Sequence, residues 1–586
     1  MSAQLHQQQQ TCLEYLLELK APSRLGVRDA SLFNAHPGDE ERASKWLGWA
    51  TLASDPPYPI DKLKQHAEEI RSEGLDGVVL IGQGGSSQAA MTITELGELN
   101  GSSDVGFKTL DLLSPVYVNH VLGSFDPSRT LYLVSSKSGS TIEVLMLERV
   151  VWQYVCSHIG EAAAARRFVA ITDPGDGRLE KLAKEKGYRL IIPTPADVGG
   201  RFSALSAFAM FPAALVGIDI VQVMANAAQA QRDCSQDDPN NRALKLACFL
   251  YEAYLQGRDK FSLILSPKSQ VFGLWVEQLV AESLGKEGKG ILPNIEVDAS
   301  ILAVPRADRS AVIYHIGDSE GFDESALIID KSIPTISYAF ATPEEAICRF
   351  IIWEYAIALL GVLLEVFPFD QPDVEITKKL VRQLLGQEPP DAGAAAGAAG
   401  AAGAAAEEAE DPYHKVGFDK GIVKSVRVSR ALAQQASGNL DQILRELFAS
   451  LQKGDYFSLN AFVPFRGFGR REALERMRNR VASRLGVVSC LEIGPRYLHS
   501  TGQFHKGGPN TGVFLVLSAD EDNDINIPGE DFTLGTLAQT QAMGDFTALA
   551  ARDRRAIYVH LRSNGSEELS SFADRVCAAI SATTRP

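Results

Sequence analysis

The sequence predicts an α/β protein built on parallel, doubly wound sheets, and two series of short apolar runs alternating with helical stretches predict it. Between Gly77 and Pro193 the chain cycles strand, turn, helix through GVVLIG, FKTLDL, TLYLVSS, RFVAIT and YRLIIP, with a helical stretch such as 141–153 between strands. Runs alternating with helices in this way imply a parallel sheet covered on both faces. A second series begins with FSLILS at Phe261 and continues through SAVIYHIG and TISYAF, the pattern of another α/β domain.

The segment before the first strand reads as helical, and its start, MSAQLHQQQQTCLEY, has no charged-then-apolar leader pattern, so export is not expected. The apolar tract from Phe350 to Phe369 is broken by Glu354 and Glu365 and reads as a buried amphipathic helix rather than a membrane span. From Asp391 to Glu410 the chain becomes DAGAAAGAAGAAGAAAEEAE, which has no side chains to build a core and reads as a linker. Beyond it, DYFSLNAFV, VVSCLEIG, TGVFLVLS and AIYVHLRS read as strands around a helix over 470–484. They either complete the second sheet or form a third domain.

With 586 residues the chain is long enough for at least two cores. Its 57 basic against 73 acidic residues leave a net charge of −16, which argues against a nucleic-acid or anionic-membrane partner. Any anionic ligand has to be captured by local groups. The seven cysteines are scattered and never in CxxC spacing, so neither a disulfide framework nor a zinc site is indicated, and a reducing, cytoplasmic setting is expected.

Four stretches carry chemistry. Gly82-Gln83-Gly84-Gly85-Ser86-Ser87 follows the first strand as a glycine-rich turn suited to a phosphate. A dinucleotide site competes for that turn, but the third glycine of the fingerprint is Ser87 here. The third strand is followed by Ser135-Ser136-Lys137-Ser138-Gly139-Ser140-Thr141, further hydroxyls and a lysine leading into a helix N-terminus with Glu143 in its first turn. Two such turns at successive strand ends are far more specific than one. DVGGRFSALS places Arg201 after paired glycines, where a forked cation can stabilise an oxyanion or serve in a structural ion pair. Finally, WVEQLVAESLGKEGKGILP sets Glu282 inside an apolar helix, followed by a Ser/Gly/Lys-rich turn. That carboxylate either pairs with Lys286 at i,i+4 or acts as a general base beside lysines that hold an anionic substrate. His120, His158 and His315 lack metal-ligand spacing and read as packed residues.

Together GGSS, SSKSGST, DVGGRFSALS, ESLGKEGKG and FDQPDVEITKK resemble, in order, the motifs of the glucose-6-phosphate isomerase family, covering Gly82 to Lys379. Beyond the Ala/Gly linker, GPRYLHSTGQFHKGGPNTGVFL is similar to the isomerase portion of bifunctional transaldolase/phosphoglucose isomerase proteins. A transaldolase barrel of about 200 residues or more does not fit before the first turn.

The resemblance implies two sugar-isomerase (SIS) domains, with a C-terminal extension completing the second. The expected layout is an N-terminal helical segment (1–60), a first SIS domain (61–225), the first part of a second (226–385), the linker (386–412) and a C-terminal α/β part carrying the histidine motif (413–586). It also implies reversible isomerisation of glucose 6-phosphate to fructose 6-phosphate through a cis-enediol(ate). By the same resemblance Gly85, Ser86, Ser136, Lys137, Ser138, Gly139, Ser140, Thr141, Gln278 and Gln371 surround the hexose 6-phosphate. Glu282 is the base, Arg201 stabilises the enediolate, and Lys378 and His499 serve ring opening. His505 is the rival histidine, and Glu143 either orients the histidine or only complements the helix dipole. No metal or redox cofactor is implied, and a cytoplasmic homodimer is expected. A non-catalytic SIS-domain sugar-phosphate sensor, or an isomerase also accepting mannose 6-phosphate, are the alternatives.

Overall fold

The five runs predicted in the first half pair as one all-parallel sheet. Strands β1 (Gly77–Gly82), β2 (Gly106–Leu110), β3 (Thr130–Ser135), β4 (Phe168–Thr172) and β5 (Leu190–Pro193) stand in the order β2-β1-β3-β4-β5. In this computed structural model residues 11–98, 104–175, 177–296, 299–316, 322–340, 345, 347–385, 411–416, 421–433, 439–465 and 469–583 are described. The expected Ala/Gly linker and the start of the N-terminal segment fall outside these residues. β1, β3 and β4 are buried along their whole length, as strands covered on both faces must be.

A second sheet, β7-β6-β8-β9, follows from β6 (Lys260–Leu265), β7 (Leu292–Ile295), β8 (Arg309–Ile316) and β9 (Thr335–Phe340), again all parallel. Contacts divide the chain into two units, Met1–Asp111 with His120–Asp370, and Leu112–Asn119 with Gln371–Pro586. The first unit holds both of these sheets on one continuous apolar core. N-terminal helix α1 (Cys12–Glu18) joins that core through Cys12 and Leu16. Further helices of this unit are α2 (Gln88–Glu98), α3 (Ile142–Ile159), α4 (Arg242–Leu255), α5 (Gln270–Leu284) and α6 (Arg349–Leu364).

Helix α6 corrects the amphipathic reading of the 350–369 tract. Every residue from Arg349 to Leu364 except Val362 is buried, so the helix is enclosed on all sides by the core. Glu354 is inside it, and burial pushes its carboxyl well above the usual range, toward the neutral acid. Trp353 is fully buried against Phe261 and donates its indole N–H to the Tyr314 hydroxyl at 2.5 Å.

The second unit contains helices α7 (Pro372–Leu384), α8 (Arg470–Leu485), α9 (Gly502–Gly507), α10 (Leu534–Ala550) and α11 (Ser566–Ala582). Its strands are β10 (Tyr413–Val416), β11 (Val423–Ser429), β12 (Tyr456–Phe462), β13 (Val488–Ile493), β14 (Gly512–Ala519) and β15 (Arg555–Leu561), in the order β10-β11-β15-β14-β12-β13. The predicted strands are thus present, but they form a sheet of their own instead of adding to the β6–β9 sheet. The reason is a separate apolar core, running from Val423 to Ile580, with every ladder partner of these strands between Tyr413 and Leu561. Antiparallel β10 and β11 at one edge had no counterpart in the sequence reading, because the apolar residues of YHKV and VKSVRVS stand singly and make no continuous apolar run.

No helix among the described residues is long and apolar enough to cross a membrane. Trp353→Ala is expected to lower stability by about 3–5 kcal/mol through the cavity left in the first core, measured as a fall in the denaturation midpoint of that unit.

Candidate active site

Arg201 lies in a short 3-10 turn, Gly200–Phe202, and is 3% exposed. A buried guanidinium must find acceptors for its fixed fork of donors. Its Nε donates to Ser283 Oγ at 2.8 Å, and Nη2 donates to the carbonyls of Pro368 at 2.7 Å and Asp370 at 2.9 Å. Nη1 stands 3.6 Å from Glu282 Oε1. Burial pushes the guanidinium pKa down and the Glu282 carboxylate opposes that shift.

Glu282 is near the end of α5, 8% exposed, and its other oxygen accepts from Gln278 Nε2 at 3.1 Å, one turn back. Gln278 is itself 3% exposed, and its Oε1 has no hydrogen-bond partner. A buried, unmet acceptor beside a carboxylate and a cation is a place for a polar ligand group.

The Lys286 alternative for Glu282 does not hold. Helix α5 stops at Leu284, and Lys286 turns away to donate to the Phe367 carbonyl at 2.6 Å and to pair with Asp370 at 2.9 Å. Lys289 donates to the carbonyls of Leu364 and Glu365 at the end of α6. The lysines expected to hold an anion here therefore brace segment 364–370, whose carbonyls hold Arg201. Left-handed backbone at Glu287, Gly288 and Gly290 turns the chain for this purpose.

The two hydroxyl-rich turns are neighbours because β1 and β3 pair from Gly77↔Thr130 to Gly82↔Ser135. Ser135 Oγ donates to the Ser86 carbonyl at 2.9 Å, joining them. Gly85 packs on the Arg201 turn so closely that a Cβ there would stand 1.9 Å from the Gly200 carbonyl oxygen. In the second turn Ser136 and Thr141 hydroxyls lie 3.0 Å apart, and Ser138 Oγ accepts from the Ser140 N–H and hydroxyl. Gly139 supplies the left-handed residue, φ 63°. Thr141 is the N-cap of α3 but makes no side-chain cap bond, which leaves its hydroxyl to the loop. Glu143, 4% exposed, is in the first turn of that helix.

Lys137 is not a free cation: its ammonium pairs with Asp173 and donates to the Ala196 carbonyl at 3.2 Å. Sequence reasoning missed this partner, and also Ser283 and Asp370, although both of the latter sit inside quoted motifs.

The remaining predicted residues belong to the second unit. Gln371 is the N-cap of α7, without a side-chain cap bond, and Lys378 is in that helix with its side chain outside the described residues. His499 ends a 3-10 turn, Arg496–His499, and is partly exposed. His505 is 1% exposed, its Nδ1 is 3.0 Å from the Tyr456 hydroxyl, and Nε2 is 3.8 Å from Glu492. Burial, with Lys506 and Arg554 adding to it, pushes the His505 pKa well below the usual value, so this ring is a neutral core group. The geometry favours His499 over its rival as the histidine a ligand could reach. His120 and His158 are exposed where packed residues were expected, carried to the surface near helix ends, whereas His315 is partly buried, stacked on Phe322 and 3.1 Å from Glu324.

Residues 58–299 match the phosphoglucose isomerase family. A glucose-6-phosphate isomerase of Fusobacterium nucleatum is 30% identical over 400 residues, which cover 59% of this chain and 88% of that relative. One from Alkaliphilus metalliredigens is 30% identical over 397 residues, covering 59% and 87%. Among solved structures, a hypothetical protein from Thermus thermophilus has a TM-score of 0.53 at 25% identity, covering 64% of this chain and 96% of its own. A glucose-6-phosphate isomerase from Chlamydia trachomatis shares the fold, with a TM-score of 0.54 at 19% identity, 64% of this chain and 86% of its own.

Gly85→Ala is expected to push the first hydroxyl-rich turn off the Arg201 turn, since the methyl overlaps the Gly200 backbone, with a loss of about 1–3 kcal/mol. Differential scanning calorimetry, with inorganic phosphate titrated into wild type and variant, reads both the stability loss and any weakened anion binding.

Proposed function

The chain belongs to the phosphoglucose isomerase family and is an aldose–ketose isomerase acting between glucose 6-phosphate and fructose 6-phosphate; we propose that Glu282 moves the proton and that Arg201 stabilises the intermediate. One observation carries the reading. A buried carboxylate, a buried cation 3.6 Å from it and an unmet Gln278 acceptor converge in a chain whose adjacent turns gather hydroxyls for a phosphate.

The step follows from those positions. Glu282 takes the proton from carbon 2 of the open-chain aldose as electrons move to the carbonyl oxygen, giving a cis-enediol(ate); a proton passes from the carbon-2 hydroxyl to the carbon-1 oxygen, and Glu282 returns its own proton to carbon 1 as the carbon-2 carbonyl forms. Negative charge grows on that oxygen, and a guanidinium already desolvated and held by Ser283, Pro368 and Asp370 meets it without reorganising. Ser86, Ser136, Ser138, Ser140 and Thr141, with the close-packed Gly85 and Gly139, hold the phosphate, while Gln278 and Gln371 take sugar hydroxyls. Lys137, tied to Asp173, braces its turn more than it contacts the anion. Lys378 and His499 move a proton between the ring oxygen and the anomeric hydroxyl before the enediol step. The exposure of His499 and the enclosure of His505 support that assignment. The protein works in this reading as a cytoplasmic homodimer on a hexose 6-phosphate, with no nucleic-acid or membrane partner.

Glu282→Gln should lower turnover of glucose 6-phosphate by several powers of ten while sugar-phosphate binding persists, because the amide keeps the shape and cannot accept the proton. A coupled assay of fructose 6-phosphate formation, with calorimetric binding alongside, checks both; near-normal turnover would remove Glu282 as the base. Running mannose 6-phosphate in the same assay measures how strictly the sugar is chosen.

A further inference from the structure

The N-terminus of α7, the helix that carries Lys378, is capped from another element. Pro372 opens the helix and Gln371 makes no side-chain cap bond, so the Asp373 N–H is one of the donors a helix start leaves unmet. Gln503 of α9 meets it: its Oε1 accepts from the Asp373 N–H at 3.0 Å. The same amide donates from Nε2 to Asp373 Oδ2 at 2.5 Å, so backbone and side chain of one residue are gripped together. Both residues are enclosed, Gln503 at 0% and Asp373 at 9% exposure, and Arg552 pairs with the other Asp373 oxygen. Low-dielectric burial makes such a two-point contact strong and its loss expensive.

Position gives this contact a meaning. Gln503 lies in α9, four residues after His499 and beyond the break at Ser500 that ends the His499 turn, and Asp373 precedes Lys378 in the first turns of α7. Within the second unit, the clamp joins α9, the element that directly follows the turn bearing one proposed ring-opening group, to the helix bearing the other. Opening a hexose ring requires an acid at the ring oxygen and a base at the anomeric hydroxyl in register at once, and a misplacement of about 1 Å costs roughly 100-fold.

We propose that Gln503 is a positioning residue for ring opening, its amide fixing the Lys378 helix through Asp373 to α9, which follows directly on the His499 turn. This rests on the assignment of Lys378 and His499 to ring opening. Glu282 and Arg201, in the first unit, are outside the clamp, so the enediol chemistry is not what Gln503 supports.

The test uses the full chain with Gln503→Leu, Gln503→Glu and the exchange pair Gln503→Glu with Asp373→Asn, beside Lys378→Ala and His499→Ala. Exchange NMR reads the interconversion of the two glucose 6-phosphate anomers, and steady-state kinetics give kcat and KM. Inhibition by 6-phosphogluconate, an open-chain sugar-acid phosphate, reads the binding that needs no ring opening. Gln503→Leu should lower anomer interconversion and kcat together by about 10–100-fold, with 6-phosphogluconate inhibition reduced far less, by the share that Gln371 at the same helix start contributes to holding the open chain. Gln503→Glu, which faces one carboxylate with another, should lose at least as much. The exchange pair, which turns an amide donor at position 373 toward a carboxylate at position 503 and leaves an oxygen toward Arg552, should recover most of that loss.

Wild-type anomer interconversion in Gln503→Leu, an equal loss of 6-phosphogluconate inhibition, or an exchange pair no better than its single parent would each overturn the clamp. If Lys378→Ala and His499→Ala themselves open the ring normally, the assignment beneath the clamp falls with it. If those two lose ring opening while Gln503→Leu keeps it, the clamp alone falls.

Discussion

Arg201 is a permanent cation placed where water does not reach, and the first unit is arranged around meeting its needs. A buried guanidinium without partners would cost several kcal/mol, so each donor has to be matched by an acceptor held independently. One comes from Ser283 on α5, two from the carbonyls of Pro368 and Asp370, and the charge is faced by Glu282. The carbonyls are in turn fixed by Lys286 and Lys289, which reach segment 364–370 from the loop after α5. A single loop therefore follows the carboxylate and also secures the cation beside it.

The parallel sheet supplies the rest of that environment. In an open α/β sheet the loops at the carboxyl ends of neighbouring strands lie together. β1 and β3 are neighbours, so the Gly82–Ser87 and Ser135–Thr141 turns are joined by the Ser135–Ser86 hydrogen bond. The contact of Gly85 with the Gly200 carbonyl then carries the first turn onto the Arg201 turn. Three segments far apart in sequence reach one another because glycine at 85 permits backbone to touch backbone.

The second unit has its own buried polar network beneath the histidine motif. Asp545 accepts from the Tyr497 hydroxyl at 2.5 Å and pairs with Lys506 at 2.5 Å, with all three enclosed. Tyr497 is in the turn that ends at His499, so the turn is anchored by its buried neighbour while the histidine stays partly exposed. His505, six residues on, faces Tyr456 and Glu492, and burial pushes the Glu492 carboxyl up to about 7. The two histidines of one motif thus take opposite environments.

Much of the fold was legible in local pattern, because a strand covered on both faces must be apolar throughout, and GVVLIG, TLYLVSS and TGVFLVLS announce themselves that way. The hydroxyl turns and Glu282 were legible for a related reason: glycine-rich turns and a carboxylate in an apolar helix violate the local rule and so point to function. Three things were decided only in three dimensions. The C-terminal strands close a separate sheet, since pairing partners are chosen by burial among distant segments and not by any strand's own composition. The lysines after α5 serve carbonyls instead of a ligand, since the helix ends before Lys286 can face Glu282. And His499 is distinguished from His505 by exposure, a property that neighbouring residues in the chain do not determine because it is set by what packs over each ring.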